Sequence, residues 1–590
     1  MVMLLILAPM AVGHVQEAHV KRSDVVFMGP KSGDIYDAYG ATMVSWGGGA
    51  WSEDPKAVEQ FGRRVQDAHD RGMRYCAGLA FRTAFAKMID FDEERFMESV
   101  CRTLDGEPIT VPWLWDHAHK GHPAYWFCTN APGYRAYLKH QADLATLTDI
   151  EGLHIDDYNG TAGTEWRGGC FCPHCMAAFR EYLKANVPAE ELAELGITSP
   201  DGFDYGEWLR ARGTTVDEYR KTVDWKLPLG PEFVTFQYRA AAEWVGEVRR
   251  YAEERIGHPL MLSVNSSANG PKALVIASKL TYFCGEVDHR AESLQVPDAP
   301  VFVFKLGEAL GKPQVCTASG QDWAYVMAEG KPGLVRTWIA QSYAFGHQLM
   351  APHRQWAYTQ EKGTHWYESK PEDYADLYRF VRGHAELLDD YEPLAEVGVV
   401  YSNAAFRANK NQARDACYAL AHANVPFRLL IAGDDWLDDR LAADDLTGLK
   451  AIVIADPLPL DAEQQTVLDA AADRLVTWPD EARLRQLAPA SVSVGGAEGI
   501  MALPRAVPGD DARPVVVHLL NLNYSGDLDG VARQANVTLT LGKSLLGRAV
   551  SKATLFAPGA EPLDLPIAGA ADRLRVSLPE LGLWGIVALQ

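Results

Sequence analysis

Between residues 35 and 390 the chain repeatedly pairs a short apolar run with a segment whose apolar residues recur every three or four positions. "ATMVSW" leads into "DPKAVEQFGRRVQDAHDRG", "MRYCAGLAF" into "DEERFMESVCRTL", "ITVPWLWDH" into "PGYRAYLKHQADLATLTD", and "GLHIDDY" into "CMAAFREYLKAN". Four more runs follow: "PLMLSVNSS", "TYFCGEVDH", "PQVCTASGQDW" and "GHQLMAPHRQW". Short apolar runs of this kind suit strands buried on both faces, and the helical segments between them supply the crossovers. Eight strands in this order predict an α/β protein built on a (β/α)8 TIM barrel. Residues 176–255 are too long for one βα step and predict a helical insertion.

The pattern restarts at "AEVGVVYSN". Buried strands alternate with the helices "QARDACYALAHANVPF" and "DAEQQTVLDAAAD" up to residue 487, as in a small flavodoxin-like α/β domain. That stretch has no G-x-G-x-x-G and no phosphate-binding loop, so nothing in it points to a nucleotide. Alternating runs such as "PVVVHLLNLNY" and "RLRVSLP", cut by Gly, Pro and Asp, predict a C-terminal antiparallel β-sandwich. The expected domains are 1–392, 393–487 and 488–590.

Charge removes one class of partner. With 78 acidic against 56 basic residues the formal net charge is −22, which repels phosphate backbones, so no nucleic acid is expected. No membrane is expected either, because no stretch reaches the ~18 continuous apolar residues of a span. The apolar run from Val2 to Val12 resembles a signal-peptide core, but no Lys or Arg precedes it. A cytoplasmic location is the expectation, with secretion or a periplasmic location as the alternative. Sixteen tryptophans and twenty-three tyrosines serve mostly as core, leaving a minority for stacking on sugar rings.

In a barrel of this kind chemistry collects at the C-terminal ends of the strands. The fourth expected strand ends in Asp156 and Asp157, and the sixth carries Glu286. Glycosidic cleavage needs one carboxylic acid to protonate the leaving oxygen and a second carboxylate as nucleophile or base. Asp156, Asp157 and Glu286 are thus the candidate catalytic groups. Trp46, Trp115, Asp116, His117, Asn265, Asp322, His353, Arg354 and Trp356 stand at the other strand ends as candidate sugar contacts.

Cys170, Cys172 and Cys175 form a C-x-C-x2-C run just before a helix, the spacing of a tetrahedral zinc site that needs one more ligand. Cys128, on the loop after the third strand, is the favoured fourth ligand, with His174 the weaker alternative. An all-cysteine site has no open position for water, so its zinc is expected to be structural. The remaining cysteines, Cys101 among them, read as small core residues.

The run "CFCPHCMAAFREYL", with "FCTNAPGYRAYL" before it, resembles the family 42 β-galactosidases and related glycoside hydrolases. That resemblance implies Cys128, Cys170, Cys172 and Cys175 as ligands of a structural zinc. It also implies a glutamine-amidotransferase-like second domain, a small C-terminal β domain and a homotrimer. The catalytic pattern departs from that family, which has Asn-Glu at the end of strand four and Glu at strand seven. Here strand four ends "IDDYNG", and strand seven offers Gln321 and Asp322. An Asp on strand four with an acid on strand six is similar to clan D and the α-L-fucosidases. That likeness implies Asp156 as nucleophile and Glu286 as acid/base, with Asp157 able to replace Asp156.

The expected function is a retaining glycoside hydrolase that removes a terminal sugar from a small oligosaccharide or glycoside, with no catalytic cofactor. One alternative is a metal-dependent hydrolase or lyase that uses Asp116, His117, His119, Asp156 and Asp157 as ligands. The other is a carbohydrate-binding barrel without catalysis.

Overall fold

Eight short strands run parallel to their neighbours. β1 (Val26–Met28), β2 (Met43–Ser45), β3 (Arg74–Ala80), β4 (Gly152–Asp156) and β5 (Met261–Val264) form one sheet in that order. β6 (Glu286–Val287), β7 (Val315–Ala318) and β8 (Gln348–Leu349) form a second. The sheets meet at both edges, where the Cys284 N–H donates to the Val264 carbonyl (3.3 Å) and the Ala351 N–H to the Val26 carbonyl (2.8 Å). This arrangement comes from a computed structural model that describes residues 19–590 except 51, 81–83, 224–225, 458 and 570–571. The apolar run from Val2 to Val12 lies outside the described residues.

Burial follows the sequence pattern. Six of the seven residues of β3 are buried, because both faces of the strand are covered. The helix Pro55–Asp70 after β2 shows how the crossovers form. The Asp54 side chain accepts the Lys56 N–H at its start, Pro55 occupies the first turn, and Phe61, Val65 and Ala68 bury one stripe. Residues 173–256 carry the helices Pro173–Asn186, Ala189–Glu194, Tyr205–Ala211, Val216–Thr222 and Gly230–Ile256. Among the described residues no helix is long and apolar enough to cross a membrane.

Two expectations about the strands need correction. β1 was not among the eight runs, since three residues are too short to show a pattern. Conversely, "ITVPWLWDH" forms no strand of either parallel sheet. Pro112 lacks an N–H to give a ladder, and Pro112–Leu114 is a 3-10 turn inside the long excursion between β3 and β4. The gain and the loss cancel, so "GLHID" is still the fourth strand.

After β8 the hairpin β9 (Arg354–Thr359) and β10 (Gly363–Glu368) turns back on itself. A four-stranded parallel sheet follows, in the order Phe427–Ala432, Val397–Ser402, Ala451–Ile454, Leu475–Thr477. The C-terminal part is β-rich. It holds a six-stranded antiparallel sheet centred on Val515–Asn521 and Trp584–Leu589, and a four-stranded one centred on Gln534–Gly542 and Arg573–Leu581. Their facing residues, including Val517, Leu519, Leu539, Val576 and Val587, form a shared apolar core.

A buried polar lock ties these parts together. Arg505, 2 % exposed, bonds Glu308 and the carbonyls of Ala344, Phe345 and Tyr391. Lys305 joins Glu308 at 3.0 Å. Burial opposes charge on Glu308, yet Arg505 and Lys305 hold its carboxyl well below the usual range.

Candidate active site

β4 and β5 pair with Ile155 opposite Val264, and successive side chains in a strand point to opposite faces. His154 and Asp156 therefore share a face, and meet Ser263 and Asn265 from the next strand. His154 Nδ1 lies 2.9 Å from Ser263 Oγ, and Asn265 Nδ2 donates to Asp156 Oδ1 at 2.9 Å. Trp46, just after β2, packs its ring 4.1 Å from the His154 ring. His154 is fully buried, and burial holds it neutral with a pKa well below the ordinary imidazole value. Asp157 leaves the strand in the left-handed region, φ +55°, which Asp tolerates better than most residues. Its carbonyl accepts the Gly160 N–H at 2.9 Å, closing a turn. The alternation of β4 thus assigns Asp156, rather than Asp157, to the face shared with His154 and Asn265.

Glu286 opens β6, opposite Thr317 of β7. Burial, reinforced by the charges of Asp156, Asp157 and Asp322, pushes its pKa up to about 8. Such a carboxyl keeps its proton at neutral pH. A proton held beside carboxylates is what general-acid assistance to a departing oxygen requires.

Asp322, expected as a sugar contact, is 2 % exposed and bonded within the fold. Its carboxylate accepts the N–H groups of His289 (2.9 Å) and Ala291 (2.7 Å) and the Ser319 hydroxyl (2.7 Å). It also completes a capping box on the helix Gly320–Glu329, so its lone pairs are committed to the loop after β6.

The other candidates fall into two groups. Asn265 bonds Asp156 and Trp46 packs on His154, as described. Trp115, Asp116 and His117 sit in the excursion after β3, not at a strand end. His117 Nδ1 is 2.8 Å from Asp116 Oδ1, and Trp115 is 64 % exposed. Arg354 lies on β9 with its guanidinium 3.9 Å above the Trp366 ring, and Trp356 covers Gly320 so closely that a Cβ there would meet the indole at 2.4 Å. His353 precedes that hairpin, half-buried 6.5 Å from the Tyr39 ring. His119 bonds Asp90 at 2.7 Å. Among the described residues these His and Asp groups do not converge with Asp156 and Asp157 into a metal-ligand set.

The cysteines do converge. Cys128, Cys170, Cys172 and Cys175 are buried, with all four Sγ atoms within 4.8 Å of one another. The donor set fits a metal held by thiolates. The Asn130 N–H points to Cys128 Sγ, the Asn130 side-chain amide to Cys175 Sγ, and the Thr161 hydroxyl to Cys128 Sγ, each at 3.4 Å. Burial opposes a thiolate at Cys128, but neighbouring thiols, Cys101 first, outweigh it and hold Cys128 well below the ordinary thiol range. Cys101 is buried in the core, as expected, and also abuts the cluster. The antiparallel bridge of Val100 with Phe127 carries it against the cluster, a non-local pairing that spacing alone does not reveal. His154 and Ser263 were also missed, although stepping back two residues from Asp156 and Asn265 finds both.

No protein-family model matches the chain. The α-agarases of Thalassotalea agarivorans and Alteromonas agarilytica are 27 % and 25 % identical to it over 595 and 602 residues. These alignments cover 97 % of this chain but 40 % and 41 % of the relatives, so the chain spans about two-fifths of their length. Among solved structures, α-L-fucosidase isoenzyme 2 from Paenibacillus thiaminolyticus matches with a TM-score of 0.62 at 11 % identity, covering 97 % of this chain and all of that one. The β-galactosidase from Rahnella sp. R3 matches at 0.57 and 13 % identity, over 92 % and 95 % of the two chains. At such identities the likeness is one of fold.

Proposed function

We propose that the chain is a glycoside hydrolase whose parallel strands close as one (β/α)8 barrel, with Glu286 as acid/base and Asp156 as nucleophile. The observation that carries this reading is a carboxyl pushed to about 8 on β6, beside an Asp on β4 that Asn265 orients. Glu286 gives its proton to the leaving oxygen while Asp156 attacks the anomeric carbon. Water then releases the sugar with Glu286 acting as base. Trp46 and Asn265 line the reacting end. Residues 393–487 and 488–590 act as accessory domains. The name shared by the two relatives makes agar the first substrate to test.

Zinc is the metal we assign to the cysteine cluster. Cys128, Cys170, Cys172 and Cys175 would hold it, and bound by four thiolates it would tie the loops after β3 and β4 together.

The test is a panel of agar, agaro-oligosaccharides and aryl α- and β-glycosides, with NMR following the anomeric configuration of any product. Cleavage with retention, lost in both Asp156→Asn and Glu286→Gln, is expected. Cleavage that persists in both variants would refute the assignment. The metal-dependent alternative would instead show activity that disappears on brief chelator treatment while the fold stays intact.

A further inference from the structure

On the same rim as Glu286, but beyond it, lies an open cleft of about 660 Å³ lined by Pro112, Trp115, Gln321, Tyr358, Thr359 and Gln360. Its position is fixed by a short relay. Thr317, opposite Glu286, donates its hydroxyl to Gln355 Oε1 at 2.9 Å, and Tyr358 lies three residues further along β9, about 10 Å at strand rise. The far wall is the excursion after β3, brought against the hairpin so that Asp116 Oδ2 lies 3.4 Å from where a Cβ on Gly363 would sit.

The chemistry of the lining is unlike the rest of the surface. The protein carries a net charge of −22, yet none of the six lining side chains is charged. They offer an indole that is 64 % exposed, a phenol stacked on Trp356 at 5.7 Å, a proline ring, two amides and a hydroxyl. Flat apolar faces bordered by neutral donors and acceptors match a ring with an apolar face and a hydroxyl edge. They supply no cation to pair with a sulfate or carboxylate, and the net charge of −22 disfavours an anion there. Arg354, on the same hairpin as Tyr358, is spent on the Trp366 face and on Glu368 at 3.4 Å.

We propose that this cleft binds a neutral, unsulfated stretch of a glycan chain, several sugars away from the scissile bond, and so makes the site select for chain length and against sulfation. For its choice of ligand the proposal rests on the glycoside hydrolase reading.

The test titrates Glu286→Gln, alone and combined with Trp115→Ala or Tyr358→Ala, against neutral agaro-oligosaccharides of increasing length and κ-carrageenan oligosaccharides of matching length. Tryptophan fluorescence and calorimetry give the affinities. Affinity is expected to rise with length for the neutral series. Each aromatic truncation should cost the longest member about tenfold or more, as loss of an aromatic anchor does, and the disaccharide little. Thermal melts of the variants establish that they fold, and the exposure of Trp115 makes that variant the safer of the two. Affinity independent of length, an equal loss for short and long members, or equal binding of the sulfated series would each overturn the proposal. If length selection holds but Asp156→Asn and Glu286→Gln still cleave, the catalytic assignment falls and the cleft stands.

Discussion

Replacing Glu286 by Gln should stabilise the protein while abolishing its chemistry, and the size of the effect follows from the site. The carboxyl moves from an ordinary 4.5 to about 8 on folding. At 1.36 kcal/mol per unit the full shift corresponds to about 5 kcal/mol, and solvent reaching this partly exposed side chain reduces it to a few. The folded state holds the proton where the unfolded chain has released it. Between pH 4.5 and 8 stability therefore falls as pH rises, by up to about 1.4 kcal/mol per pH unit, and flattens above 8. Gln cannot ionise and escapes this loss. The two proteins should have equal urea midpoints at pH 4, separate progressively to pH 8 in favour of the variant, and stay separated beyond. In the wild type kcat/KM should decline above pH 8 as the acid is lost. Asp156→Asn removes the strongest neighbouring charge, so the stability window of Glu286 should close at a lower pH. A midpoint gap that is constant with pH, or that favours Glu286 at pH 8, would refute the reasoning.

Two further outcomes follow from features away from the carboxylates. Cys172→Ser, or prolonged chelation under mild denaturant, should lower the melting temperature and the zinc content per chain together, while the folded remainder keeps its kcat; loss of kcat at full stability would mean a catalytic metal. Arg505→Ala leaves Glu308 charged and buried with only Lys305 at 3.0 Å and the more distant Arg22 at 4.0 Å, which should cost about 3–5 kcal/mol in denaturant unfolding, and Glu308→Gln should cost less in the Arg505→Ala background than alone.

The parts of this molecule legible in the sequence are those set by local pattern. "GLHID" is an apolar run that ends in acid, and both its strand and its position in the order follow. Spacing was enough to bring Cys170, Cys172 and Cys175 together. Illegible parts depend on chain meeting chain. Asp322 resembles a strand-end acid until the loop after β6 arrives to use its oxygens. Trp115 looked like the end of a strand because its neighbours are apolar, and only Pro112 argued otherwise. "GHQLMAPHRQW" merged β8 with the first half of a hairpin, whose return was marked by Gly363 at φ +62° after Glu361 and Lys362.

The double grip of Asp322 on the His289 and Ala291 amides bears on timing. The loop that continues from Glu286 is already fastened at two successive points to a carboxylate that is itself held by Ser319. Among the described residues the loop after β6 is therefore held without substrate, which fixes that side of the Glu286 surroundings in advance. Dipoles fixed in advance need no reorientation as charge moves. For an enzyme built this way, thickening the solvent should slow the arrival and departure of the glycan and leave the bond-breaking step untouched.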